Sequence, residues 1–185
     1  MSPHFNILYI HTLKQFKDIK MDNNILTSYR DNGVIGALLD EYERAIKDLK
    51  DVLKTVISTE LITIVDNTTT DEDCCSIQTI LSHVVRSGYG YAIYVRKQHG
   101  ETLSFRASIL LESVDAYNAA LDDMFSFNVQ LFADYPNLKL EEFDADKKIL
   151  VRWGQLYDVE QLFEHAIVHI LRHRRQIERF LLRLR

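Results

Sequence analysis

The stretch Asp158-Val159-Glu160-Gln161-Leu162-Phe163-Glu164-His165-Ala166-Ile167-Val168-His169-Ile170-Leu171-Arg172-His173, continuing through Gln176 to Arg185, decides how this chain is read. Its apolar residues recur at intervals of three and four, the period of an amphipathic helix. On a wheel at about 100° per residue with Leu162 at zero, Ala166, Ile170, Ile177, Phe180 and Leu184 fall within roughly 80° of it and mark a buried face. His173 lands near about 20° and His169 near about −20°, both inward, while His165 at about −60° drifts toward solvent. An imidazole buried without a partner costs about 1 to 3 kcal/mol. Two histidines at i, i+4 project from neighbouring turns and can share a metal ion. The spacing alone also fits a pair of hydrogen-bonded histidines at a helix edge.

Upstream, the periodicity predicts three further helices. Val34, Ile35, Leu38, Leu39, Tyr42, Ala45, Ile46, Leu49, Val52, Leu53 and Val56 predict one over 33–57, with a mixed-charge outer face that reads as solvated. Residues 57–73 lose the pattern and read as a loop, with a short extended piece at 61–65. Ser76 is a good N-cap for a second helix over 77–98, which carries His83. A third is expected over 108–135, ended by Pro136. Residues 139–156 read as a long crossover with some strand, and Asp158 with Gln161 forms a capping box that starts the last helix. Four long helices with two long connections imply an all-α fold, a four-helix bundle with long crossovers, in which metal sites are built on facing helices.

With 185 residues and only two prolines and six glycines, the chain is expected to form one domain over 31–185. Residues 1–30 read as a lead-in or extension, with Met21 a candidate natural start. The net charge of −5 argues against nucleic acid as the main partner. No apolar run is long enough for a membrane span. Cys74 and Cys75 are adjacent and read as reduced thiols, which fits a cytoplasmic protein. A catalytic thiol just before a helix N-terminus is the minor alternative.

The helix start Ser76-Ile77-Gln78-Thr79-Ile80-Leu81-Ser82-His83, together with the late His169-Ile170-Leu171-Arg172-His173-Arg174-Arg175-Gln176-Ile177, resembles the DinB/YfiT superfamily. The resemblance spans residues of roughly 30 to 185 and implies a four-helix bundle that binds one divalent metal ion, zinc or nickel. Carried over by position, it implies His83, His169 and His173 as the three ligands, with an open position for a small-molecule substrate. His165 matches a further histidine that many members have and that is not normally a ligand. Where many members have His-Arg-Gly-Gln, this chain has His173-Arg174-Arg175-Gln176, so the close backbone approach that glycine allows is lost here.

On its own wheel His83 lies about 130° from the apolar stripe and reads as a surface histidine, so its place in the set comes from the resemblance. Glu164 and His165 could serve as a base or as hydrogen-bonding partners, but Glu164 falls on the outer side. Gln176 is better placed to hydrogen bond His173. Arg172, Arg175, Arg179 and Arg183 form an outer stripe that suits the negative C-terminal end of the helix dipole. The function implied by resemblance is that of a metal-dependent hydrolase, or a thiol-dependent transferase or isomerase, with a homodimer expected by analogy. The alternative is a non-catalytic metal-binding or stress-related bundle acting as an interaction module.

Overall fold

Capping side chains set where the long helices of this protein begin. The structure, a computed structural model, describes residues 29–185. The expectations about Met21 and most of the lead-in concern residues outside that range. Helix α1 spans Gly33–Leu53, the short α2 Ser58–Ile62, α3 Ile77–Gln98, α4 Val114–Asp134 and α5 Val159–Leu184. Ser76 Oγ accepts from the Thr79 N–H, Ser113 Oγ from Ala116, and Asp158 from Gln161, whose own side chain accepts from the Asp158 N–H. Each cap satisfies amide donors that a helix start leaves unpaired.

α5 packs along α1 and α3, and α4 packs along the same two helices, so the four long helices meet their neighbours in a ring. Tyr42, Tyr117, Phe163, Leu49, Leu121 and Met124 are fully buried at its centre. Between α4 and α5, Ile149–Leu150 (β1) and Leu156–Tyr157 (β2) pair antiparallel, with Ile149 opposite Tyr157. The chain is therefore mostly helical with a trace of strand. Among the described residues, no helix is long and apolar enough to cross a membrane.

Three boundaries differ from the periodic reading, each for a local reason. α1 stops at Leu53 rather than at residue 57, because Thr55 and Val56 tighten into i→i+3 hydrogen bonds with Val52 and Leu53. Residues 58–62, expected as loop and extended chain, form α2, where Glu60 Oε2 accepts from the Ile57 N–H at 3.1 Å. α4 begins at Val114, not at residue 108. Upstream of it the backbone is claimed by side chains of α3 and α4. Ser82 Oγ donates to the Ile109 carbonyl at 2.7 Å, Gln78 Nε2 to the Leu111 carbonyl at 2.9 Å, and the Leu111 N–H donates to Tyr117 Oη at 3.0 Å. The segment 101–111 is thus an extended strap across α3.

Tyr117 ties strap to core, since its hydroxyl also reaches Ser82 Oγ at 2.7 Å and the Gln78 carbonyl at 3.0 Å. Tyr117→Phe is expected to cost about 1 to 2 kcal/mol, because buried groups lose their partner while the ring still fills its space. Urea unfolding checks this, and an unchanged midpoint would mean that the hydroxyl network adds nothing.

Candidate metal centre

His83 sits on the second turn of α3, and His169 and His173 sit on successive turns of α5. Because α3 and α5 pack against each other, all three side chains enter one groove. His83 Nε2 lies 2.9 Å from His169 Nε2, and His173 Nε2 lies 3.2 Å from His169 Nε2. One nitrogen from each ring lies within 4.8 Å of the other two. The groove explains the placement of His83, which its wheel put at the surface. α3 touches both α4 and α5, so a residue well off the mean apolar direction still faces a neighbour. Its side chain is only 22% exposed, and His173 is buried at 1%.

The far nitrogens of two rings are already committed. His83 Nδ1–H donates to Asp73 Oδ2 at 3.0 Å, and His173 Nδ1–H donates to Gln176 Oε1 at 3.0 Å. A proton held on Nδ1 leaves Nε2 with a bare lone pair. The lone pairs of His83 and His173 then both face His169 Nε2. A proton on that atom can satisfy them, and so can a cation drawn in among the three nitrogens. Neutral imidazoles oriented by a carboxylate and an amide are the donor set that borderline divalent ions select. The residues present therefore fit such an ion.

Electrostatics holds these rings neutral. Burial, reinforced by His173 and His83, depresses His169 to about 2. Burial and then His83 depress His173 to about 4, with the Gln176 hydrogen bond opposing. His83 is also lowered, mainly by burial, although Asp73 pulls the other way. A ligand that does not bind protons near neutral pH is free to bind metal.

The surrounding residues sort themselves. Asp73 lies on the turn Glu72–Cys74 just ahead of α3 and also accepts from Arg86 Nη2 at 2.5 Å. The sequence reads as a loop over 57–73, and no signal in it places Asp73 beside His83. Tyr91, two turns beyond His83, sets its ring edge against His169 at 5.9 Å and 78° between planes. His165 stands apart from the nitrogen cluster, stacked on Trp153 at 5.4 Å, with its Nδ1 3.3 Å from Tyr157 Oη. Glu164 is exposed, away from the site. Both cysteines are free thiols. Cys74 donates a long contact to Gln176 Oε1 at 3.9 Å, and burial raises its pKa, the opposite of what a nucleophilic thiolate needs. Arg172, Arg175, Arg179 and Arg183 line a cleft of ≈ 510 Å³ beside Cys74 and Gln176, with Asp66 and Asp71 in its facing wall.

Set against protein-family models, curated proteins and solved structures, the chain matches none of the three. A functional reading therefore rests on the chain's own residues.

Proposed function

We propose that the protein is a DinB/YfiT-like four-helix bundle that holds one divalent ion, zinc or nickel, through His83, His169 and His173, and uses it as a metal-dependent hydrolase or thiol-dependent transferase. One observation carries the reading. Three imidazole nitrogens from two facing helices converge, and two of the rings have their other nitrogen tied to Asp73 and Gln176. An ion held there supplies Lewis acidity to a substrate heteroatom entering on the open side. The chain's own residues do the rest. Asp73 and Gln176 fix the tautomers and the ring planes, and the Tyr91 ring walls off one side of His169. Two free cysteines suit a reducing, cytoplasmic setting.

A second reading, a metal-binding bundle without catalysis, is favoured by the state of Asp73. That carboxylate is committed to His83 and Arg86 and is not available as a general base.

Elemental analysis tests the metal. Protein purified without an affinity tag or chelator is expected to carry about one zinc or nickel per chain, as a three-histidine site should. An empty site that stays empty after incubation with either ion would overturn the proposal.

A further inference from the structure

Next to the histidines, α3, the strap and the turn that follows β1 line a second space, a half-open cavity of ≈ 330 Å³. His83 is among its lining residues, so the cavity borders the proposed metal centre. Its walls are unusually rich in rings for so small a space. Tyr94 lies 4.7 Å from Phe105 at 56° between planes and 6.4 Å from Trp153 at 89°. Phe105 remains 38% exposed and Trp153 47%, and both line the cavity.

The helical floor of the cavity is bare. A Cβ added at Gly90 would meet only Phe105 Cδ1, at 4.0 Å. Gly88, two residues earlier and on the opposite face of the helix, is the opposite case: a Cβ there would come within 2.3 Å of Met124 Sδ. Gly88 is small because the core presses on it, whereas Gly90 leaves volume that nothing in the described protein fills.

The walls also carry spare positive charge. Arg86 is tied to Asp73, but Arg106 and Arg152 have no carboxylate partner among the described residues. Arg106 instead lies over the Tyr89 ring, 3.4 Å from its centroid. Rings offer a face or edge to a planar guest, and an arginine fork matches a carboxylate.

We propose that this cavity is the substrate chamber of the histidine site and takes a small planar aromatic acid. Its ring lies among Tyr94, Phe105 and Trp153, its carboxylate meets Arg152, and its reacting edge faces His83. The volume sits at the small end of ligand pockets and admits one ring with a short side chain. The chemistry done on that guest rests on the metal reading, whereas its binding does not.

Trp153 is the only tryptophan in the chain, so its fluorescence reports on the cavity directly. The probe is cinnamate, titrated into wild-type protein with and without zinc, beside cinnamyl alcohol and cyclohexanecarboxylate, which remove the charge and the planar ring in turn. Saturable quenching by cinnamate is expected, weaker by about tenfold or more for each control, a difference that a single lost charge pair or ring contact can produce. Gly90→Leu, which replaces a poor helix former with a good one, is expected to keep its helical circular dichroism and its metal content and to lose the quenching. Arg152→Met is expected to weaken cinnamate and leave cinnamyl alcohol unchanged. Absence of saturable quenching, equal quenching by all three compounds, or full quenching in Gly90→Leu would each overturn the proposal. Cinnamate binding by a protein that takes up no metal would uphold the chamber and remove the metal reading. A metal-loaded protein that ignores cinnamate would do the reverse.

Discussion

His173→Ala is expected to lower the metal content from about one ion per chain to near zero and to abolish the rise in melting temperature that zinc gives the wild type. His173 is buried at 1% and held by Gln176, so its imidazole has one orientation and no water substitutes for it easily. Losing a mere hydrogen-bonding partner of a ligand costs about 10- to 100-fold in metal affinity, so losing the ligand itself should cost at least about 100-fold. In stability terms an ion present at about 100 times its dissociation constant contributes about 2.7 kcal/mol, and the variant should forfeit all of it. The proper control is His165→Ala. That ring is about two turns earlier on the same helix, yet it stacks on Trp153 and sits by Tyr157, so its removal should leave the metal in place. Metal analysis and thermal unfolding with and without zinc read both variants. Unchanged stoichiometry in His173→Ala, or equal losses in the two, would remove the site.

The contrast between those two histidines was legible in the residues, because α5 is one uninterrupted helix and its wheel sorts inward from outward. His83 was not legible in that way. A wheel reports the mean apolar direction of a helix, and the mean for α3 is set by two neighbours at once, so a side chain in the groove toward α5 looks exposed. Helix starts followed the same logic. Ser76 and Asp158 stand just ahead of an apolar period and mark their helix starts, whereas Ser113 does not, because Leu110 and Leu111 prolong the apolar spacing upstream of it. Leu110 is in fact 56% exposed, and the strap that carries it is held by Ser82, Gln78 and Tyr117. The cavity beside His83 depends on that strap and on Trp153 from the crossover, two irregular segments brought together only by tertiary packing. No period in the sequence encodes their meeting.

Acid should destabilise the metal-free protein steeply, and the same histidines are responsible. His169 and His173 are depressed in the folded state to about 2 and about 4, while in the unfolded chain each titrates near its ordinary value of about 6.5. Above that value both states hold neutral imidazoles and the rings contribute nothing to pH dependence. Below it the unfolded chain takes up protons that the folded chain refuses, so stability falls with pH until the folded values are reached. Each ring removes about 1.4 kcal/mol per pH unit once the unfolded histidine is fully charged. From pH 7 to 5 the pair should therefore cost about 3 to 4 kcal/mol, a large part of the stability of a domain this size. His169→Leu should lose about 2 kcal/mol less over the same range, because carboxylates and other groups titrate alike in both proteins and cancel in the difference. Urea midpoints at the two pH values, with chelator present throughout, make the comparison. Parallel pH dependence in wild type and variant would show that these imidazoles are not held neutral by the fold, and with that the reason they are ready to receive an ion near neutral pH would be lost.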